Sequence, residues 1–343
     1  KNITPMTLSR LFVITLLFLL VPYRSISQQK SIKFDTYTIE EGLSQSQVTS
    51  IQQDQFGYIW IATQDGLNRF DGYTFNVLKN QANNPNSLPN NYVHFLLPDT
   101  ESNLWFGTNR GIAKLDPKSG DITKINRDEY PDLKGYIFTH LAFDANGQLW
   151  ALSEKNGINR INTSTHKVKI IKEIKGTTAF SSLYADAQKN LWVGSKYGQI
   201  FYSEPPYDKF REVKNNELGT LGEINQFYQK SPTELIASTD TGPMLISNKK
   251  TITTLTSKEL LRYSKINCIY VEDENHIWIG SAEKGLYLLN TTGGKERLHR
   301  YYKNPYDNSS IVDDNIVSIY EDRSGVIWVG TEKGVSKFDK YKQ

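Results

Sequence analysis

The sequence has very little of the chemistry that marks most enzymes. It contains one cysteine, Cys268, which excludes an internal disulfide framework and a zinc site made of several thiolates. No histidine is followed by a second one at a metal-ligand spacing, and no P-loop, G-x-S-x-G or dinucleotide-binding glycine pattern occurs. The sequence therefore predicts no catalytic residue, no metal site and no cofactor. The five histidines are His94, His140, His166, His276 and His299.

An excess of charge of one sign is also missing. The chain has 40 basic and 37 acidic residues, and three of the basic ones lie in residues 1–27, which contain no acid. Residues 28–343 therefore carry 37 charges of each sign. Proteins that bind nucleic acid need a basic excess or stripe, so the composition predicts no nucleic-acid partner.

Long apolar runs are absent, with one exception near the start. Residues 11–21 are apolar apart from Thr15, and Pro22 follows them. Eleven residues are too few to cross a hydrocarbon core of roughly 30 Å, whereas a basic start, a short apolar run and Ser25-Ile26-Ser27 are typical of a signal peptide. We predict that residues 1–27 are removed and that the remaining chain is exported. The alternatives are an uncleaved anchor and a buried helix.

The sequence is rich in aromatic residues, and all of its tryptophans belong to one repeated phrase. Seven anchor positions recur at intervals of 42 to 50 residues, and an isoleucine replaces tryptophan at the fifth. A period of this length predicts a repeat architecture. The anchors are Trp60, Trp105, Trp150, Trp192, Ile236, Trp278 and Trp328.

Three further positions recur in register with the anchors. An acid stands six residues before six of the seven anchors, and Lys230 takes this position in the fifth repeat. A serine or threonine follows every anchor by three residues, and a glycine follows by six or seven. Because acid and hydroxyl recur once per repeat at predicted turns, we interpret them as turn residues that bond to the backbone and not as catalytic groups.

Each repeat divides into four short strands separated by turns, as residues 48–78 illustrate. Four antiparallel strands in about 44 residues are typical of one propeller blade. The seventh repeat contains three strands only, and residues 34–39 resemble a fourth strand. The fold prediction is therefore an all-β, seven-bladed β-propeller over residues 28–343, closed by an N-terminal strand that completes the last blade.

Candidate ligand-binding residues lie where the second strand of a blade turns into the third and in the connectors between blades. Five of these seven turns hold a cation, although adjoining glutamates favour a solvated rim of mixed charge over a positive ring. The connectors add tyrosines and arginine, which suit the rings and hydroxyl groups of sugars. The candidates are Tyr92, Arg110, Tyr136, Lys155, Lys196, Tyr197, Asp240, Arg262, Tyr263, Lys284 and Lys333.

Three stretches carry a resemblance to a known family. They read DQFGYIWIATQDGL, DTESNLWFGTNRGI and DRSGVIWVGTEKGV, and the connectors EEGLSQSQV, NPNSLPNNYV and NPYDNSSIVDDNIV accompany them. These phrases resemble the two-component regulator propeller repeat. The resemblance implies the periplasmic sensor region of a hybrid sensor histidine kinase, typically of Bacteroidetes-type bacteria, in which many relatives sense products of polysaccharide breakdown.

Full-length relatives of this kind continue with a second propeller, an immunoglobulin-like module, an inner-membrane helix and cytoplasmic kinase domains. We therefore expect this chain to be the N-terminal part of a longer signalling protein, or to act with such a partner in a phosphorelay. An oligosaccharide is the expected ligand. A non-enzymatic interaction scaffold is the main alternative, and a propeller lyase or glycan hydrolase is a lesser one. The sequence leaves the oligomeric state open, a homodimer included.

Overall fold

The computed structural model describes residues 32–215 and 219–342, which form seven four-stranded antiparallel sheets and two short 3₁₀ turns, Ile39–Glu41 and Thr292–Gly294. The predicted signal peptide lies outside the described residues. The first strand of each sheet contacts the first strands of its two neighbours, so the sheets close into a ring around an axis. The predicted seven-bladed propeller is confirmed.

The strands of each blade follow one another from the axis outward. Blade 1 contains β2 (Val48–Gln53), β3 (Ile59–Thr63), β4 (Gly66–Phe70) and β5 (Phe75–Leu78). Blade 2 contains β6 (Val93–Pro98), β7 (Leu104–Thr108), β8 (Gly111–Leu115) and β9 (Ile122–Ile125). Blade 3 contains β10 (Phe138–Phe143), β11 (Leu149–Ser153), β12 (Gly157–Asn162) and β13 (Lys167–Ile171). Blades 4 and 5 contain β14 (Phe180–Ala185), β15 (Leu191–Ser195), β16 (Ile200–Ser203) and β17 (Arg211–Val213); β18 (Ile224–Ser231), β19 (Glu234–Thr239), β20 (Gly242–Ser247) and β21 (Thr251–Thr254). Blades 6 and 7 contain β22 (Ile266–Val271), β23 (His276–Ser281), β24 (Leu286–Asn290) and β25 (Arg297–Tyr301); β26 (Ile316–Glu321), β27 (Val326–Thr331), β28 (Gly334–Asp339) and, at the outer edge, β1 (Asp35–Tyr37).

The N-terminal strand closes the ring as predicted. β1 pairs antiparallel with β28, and Thr36 lies opposite Ser336. Phe34 is buried against the rings of Tyr301 and Phe338, with centroid distances of 5.9 and 5.2 Å. The strand thus covers the open edge of blade 7, which would otherwise be available for pairing with another chain.

The repeated acid does more than the sequence predicted. In blade 1, Asp54 accepts backbone N–H bonds from Phe56 and Tyr58 at 2.9 and 3.1 Å, which fixes the turn. Its second oxygen accepts the indole N–H of Trp60 at 2.7 Å. The same indole–carboxylate bond occurs in every blade that has a tryptophan anchor, at 2.7 to 2.9 Å.

Blade 5 lacks both partners of this bond. Ile236 stands at the anchor, and Lys230 takes the position of the acid and pairs with Glu234 at 2.7 Å. A buried carboxylate without the indole donor would be poorly compensated, which accounts for the absence of both residues from blade 5. The repeated hydroxyl acts as predicted: Thr63 accepts a bond from the backbone N–H of Asp65 and donates to the carbonyl of Gly66.

Candidate functional site

The seven inner strands enclose an axial channel. Each of them contains a β-bulge at its second residue, as between Val48 and Ser50 in blade 1. A bulge interrupts the alternation of side chains, so consecutive second and third residues, such as Thr49 and Ser50, both reach the channel. Four of these second residues also donate a side-chain hydrogen bond to a carbonyl of the next blade. The pairs are Thr49 with Val93, Ser181 with Ile224, Asn225 with Ile266, and Asn267 with Ile316.

Two adjoining cavities occupy the channel. The wider cavity, of about 1140 Å³, opens where the inner strands end, and the narrower one, of about 570 Å³, opens where they begin. Third residues of the inner strands line both and mark the boundary between them: Ser50, Phe95, His140, Gln226 and Ser318. The narrow end is the face for which the sequence predicted ligand binding.

Aromatic residues line one side of the wider cavity. The fifth residue of the inner strand is tyrosine in four consecutive blades: Tyr184, Tyr228, Tyr270 and Tyr320. Burial raises the pKa of Tyr184 and of Tyr228 to about 12, so both hydroxyls stay protonated at neutral pH. The side formed by blades 2 and 3 combines apolar residues such as Leu97 and Phe143 with charged ones such as Glu101 and Lys114. The cavity therefore has one wall rich in tyrosine and one of mixed apolar and charged residues.

A charged network lies beside the tyrosines at blades 6 and 7. The hydroxyl of Tyr270 donates to Glu321 at 3.0 Å, and the ammonium of Lys340 reaches Glu321 at 2.9 Å and Glu272 at 3.1 Å. Partial burial lowers the pKa of Lys340, but bonds to the two carboxylates outweigh burial and leave that pKa above its ordinary value. Burial and the Glu321 carboxylate likewise raise the pKa of Tyr270. The carboxylate of Glu321, which Lys340 holds in position, therefore lies at the edge of the wider cavity.

The narrower cavity is lined mainly by amides, hydroxyls and two histidines, and Lys265, Glu332 and a few apolar residues complete its lining. Asn225 and Asn267 face His94 and His140 from the other side of the ring. Burial lowers the pKa of His140 to about 4, with a smaller contribution from the neighbouring His94. Burial also lowers the pKa of His94, whose Nε2 lies 2.6 Å from Asn109 Oδ1. Both rings are thus neutral at pH 7. Within residues 32–215 and 219–342, no three His, Cys, Asp or Glu side chains are grouped to hold a metal ion.

The eleven predicted binding residues surround the narrow mouth, and none of them lines either cavity. Three of them contact residues that line the narrower cavity or lie next to it. Tyr92 stacks on His94 with a centroid distance of 4.2 Å, and Asp240 pairs with Lys265 at 3.4 Å. Lys333 pairs with Asp313 at 2.8 Å. These three residues form the inner part of the rim.

The other eight predicted residues are exposed on the rim, mostly apart from one another. Arg262 lies over the ring of Tyr263 at 5.7 Å, and Lys284 donates to Ser264 at 3.0 Å. The ring of Tyr136 stacks with Arg127, which the sequence analysis did not single out, at 4.3 Å. The remaining four project from turns without a common centre: Arg110, Lys155, Lys196 and Tyr197.

The tyrosines of the wider cavity were missed by the sequence analysis. A signal for them was present, since each stands two residues before the position of the repeated acid in blades 4 to 7. That position belongs to an inner strand, but only the bulge and the ring closure show that its side chain borders the channel.

Comparison with known proteins identifies the repeats. Residues 42–65, 87–110 and 310–333 match the family model described as two component regulator propeller. These stretches lie in blades 1, 2 and 7. Over 62 residues the chain is 42% identical to histidine kinase P4 of Formosa agariphila, which corresponds to 18% of this chain and 4% of the kinase.

Solved structures share the fold. The extracellular domains of BT3049 and BT4673 from B. thetaiotaomicron, both assigned to hybrid two component systems, superpose with TM-scores of 0.73 and 0.75 at 22% and 19% identity. Each likeness covers 90% of this chain but only 42% and 40% of those domains. Virginiamycin B lyase from Staphylococcus aureus superposes with a TM-score of 0.69 at 14% identity, over 90% of this chain and 99% of the lyase.

At such identities the structural likenesses concern the fold alone, whereas the repeat matches concern the sequence. The repeat matches, together with the acid and tryptophan of six repeats and the hydroxyl and glycine of all seven, confirm the resemblance found in the sequence. This chain contains two component regulator propeller repeats.

Proposed function

We propose that this propeller is part of a periplasmic sensor region that recognises an oligosaccharide and acts with a hybrid histidine kinase in a phosphorelay. The wider cavity and its wall of four tyrosines carry the proposal. The relatives named above support the connection to two component systems. Because the chain spans less than half of the extracellular domains that it matches, its partners would include further extracellular modules and the kinase itself.

The wider cavity has the size and chemistry that a short glycan requires. Small-molecule sites occupy about 300–1,000 Å³, so about 1140 Å³ accommodates several sugar rings. Aromatic rings cover the C–H face of a sugar, and protonated tyrosine hydroxyls donate to its oxygens. Glu321, held by Lys340, supplies an acceptor beside Tyr270. A neutral sugar satisfies this donor and acceptor set better than an anionic one.

Signal transmission would not require the ring to deform. β1 closes the propeller, and every inner strand contacts both of its neighbours. A closed ring of this kind moves as a rigid body against an adjoining module, which is an established way to pass a binding signal.

A thermal-shift screen of the purified chain against neutral and acidic oligosaccharides tests the proposal. A ligand at 100 times its Kd stabilises the folded state by about 2.7 kcal/mol. We expect Tyr228→Ala to abolish the shift produced by a hit, whereas Tyr306→Ala, a change at an almost fully exposed tyrosine, leaves it unchanged. Silence across the panel, or equal effects of both variants, would exclude the wider cavity as the binding site.

The rim residues around the narrow mouth remain a second proposed binding region. If a hit occupies that end, Tyr92→Ala and Arg262→Ala will weaken it while Tyr228→Ala will not. The same rim also favours the alternative of an interaction scaffold, because Tyr136, Tyr197 and Tyr263 are 60%, 71% and 79% exposed there. Light scattering of the purified chain distinguishes self-association through this face from a monomer, and a homodimer would be weakened by Tyr263→Ser.

Export is tested separately from ligand binding. Cleavage of a signal peptide after Ser27 predicts that the secreted product begins at Gln28, which N-terminal sequencing of the periplasmic fraction checks. A product that retains residues 1–27 would contradict export by cleavage. The residues that the structure describes include no helix long and apolar enough to span a membrane.

A further inference from the structure

A groove on the outer rim between blades 3 and 4 has a charge that the axial site does not explain. It has a volume of about 380 Å³ and runs from the outer strand β13 and the residues after it to the loop before β17. Five cations and two acids are among its lining residues. The cations are Arg160, Lys169, Lys172, Lys175 and Lys209, and the acids are Glu173 and Asp208.

The four lysines of this groove are exposed and have no ion-pair partner in the part of the chain that the structure describes. Arg160 differs from them, because its guanidinium is largely buried and reaches Asp144 at 3.1 Å. The open part of the groove therefore presents four ammonium groups against two carboxylates. This is a local excess in a chain whose residues 28–343 are neutral.

Protection of a strand edge does not account for the lysines. Lysine on an outer strand prevents pairing with other chains, and every blade has such an edge. However, β13 (KVKII) is the only outer strand among those described with two lysines, and Lys172 and Lys175 continue the series beyond its end. β25 carries two arginines, of which Arg300 is engaged with the carbonyl of Lys284 at 2.8 Å.

The floor of the groove indicates which polyanion fits. Trp150 and Tyr207 lie beneath Arg160, at 5.2 and 5.4 Å from its guanidinium carbon, and both rings are buried. These two rings are therefore not free to stack on a nucleic-acid base, a contact that single-stranded nucleic acids use, and the half-buried Phe210 is the one partly exposed ring among the residues that line the groove. Lys169 lies on β13, and Lys172 and Lys175 follow it at intervals of three residues, so their ammonium groups act as separate point charges along one edge of the groove. That arrangement suits charges repeated along a linear sugar chain.

We propose that this groove binds a linear anionic polysaccharide, carrying sulfate or carboxylate groups, at a site separate from the axial channel. The four lysines attract the chain of charges, while Ile170, Ile171 and Phe210 form the apolar surface between them. Binding here would hold the propeller on an acidic polymer independently of recognition in the channel. The inference does not depend on the proposed function, because it concerns a different surface.

The test compares two triple variants of the purified chain. The groove variant removes three charges of the groove: Lys169→Gln, Lys172→Gln and Lys175→Gln. The control variant removes three exposed charges elsewhere: Lys118→Gln, Lys295→Gln and Lys303→Gln. The probes are heparin, polygalacturonate, neutral dextran and a single-stranded oligonucleotide. Circular dichroism verifies that both variants fold, and calorimetry measures binding at several salt concentrations.

We expect the unmodified chain to bind heparin, polygalacturonate or both, with an affinity that falls steeply as salt rises, and not to bind dextran. The groove variant should bind at least about tenfold more weakly and with a shallower salt dependence, whereas the control variant should change by less than about threefold. Equal losses in the two variants, no binding of either anionic glycan, or tighter binding of the oligonucleotide would overturn the proposal. A thermal shift by a neutral oligosaccharide should be the same in the groove variant as in the unmodified chain.

Discussion

The bond between acid and tryptophan makes a quantitative prediction in blade 4. Trp192 and Asp186 are both buried, and the indole N–H donates to Oδ2 of Asp186 at 2.9 Å. Trp192→Phe keeps an aromatic ring but removes the donor. Asp186→Ala removes the acceptor together with its bonds to Asn190. The two changes combined measure how strongly the indole and the carboxylate depend on each other.

The size of the effect follows from two contributions. A hydrogen bond to a charged group is worth about 1.5–3 kcal/mol. Phenylalanine is smaller than tryptophan by roughly 40 Å³, and at about 24 cal/mol per Å³ of cavity this adds about 1 kcal/mol. We therefore expect Trp192→Phe to lower the free energy of unfolding by about 2.5–4 kcal/mol, and the double-mutant cycle to give a coupling of about 1.5–3 kcal/mol.

Urea unfolding followed by far-UV circular dichroism measures both quantities, since a signal from tryptophan itself would change with the variant. Blade 5 supplies the control, because Lys230 and Ile236 occupy the equivalent positions without such a bond. Lys230→Ala and Ile236→Val should be additive within about 0.5 kcal/mol. A coupling below about 0.5 kcal/mol in blade 4, or equal couplings in the two blades, would refute the reasoning.

Three further predictions concern closure, packing between blades and pH. Phe34→Ala should lower the free energy of unfolding by about 3–5 kcal/mol in the same assay, because its ring is buried at the closing strand. Tyr306→Ala, a change at an exposed ring, should alter it by no more than about 0.5 kcal/mol. An unchanged stability of the Phe34 variant would argue against closure by β1. Gly107→Ala should lower the free energy of unfolding by about 1–3 kcal/mol, because a methyl group there overlaps the Phe138 carbonyl of the next blade. Ala62→Gly, at the same position of blade 1, should lower it by about 0.5–1 kcal/mol. Equal losses in the two variants would contradict the contact. His140 has a pKa lowered from 6.5 to about 4, so below pH 6.5 the unfolded chain takes up a proton that the folded protein excludes. The melting temperature should therefore fall as the pH drops from 6.5 to 4. A His140→Gln variant with the same dependence of melting temperature on pH would show that another group is responsible.

The sequence determined the architecture because the information is local and repeated. Every blade forms within about 44 residues, and its strands, turns and anchor are specified by residues close together in the chain. The missing strand of the seventh repeat and the extra strand at residues 34–39 also predicted how the ring closes. The same repetition indicated that the acid and hydroxyl are structural. It did not reveal that the second oxygen of Asp54 binds Trp60, since that bond depends on how the turn folds back.

The site depended on contacts that no local pattern encodes. A bulge at the second residue of every inner strand changes which side chains reach the axis, so simple alternation along the strand does not identify the channel lining. The wall formed by Tyr184, Tyr228, Tyr270 and Tyr320 joins residues from four blades. Lys209 lies in the same groove as Lys172 and Lys175 only because blade 4 packs beside blade 3. The sequence by itself thus determined the number, order and closure of the blades, while the tertiary structure decided which end of the channel is wide and where charge accumulates, because both depend on neighbouring blades.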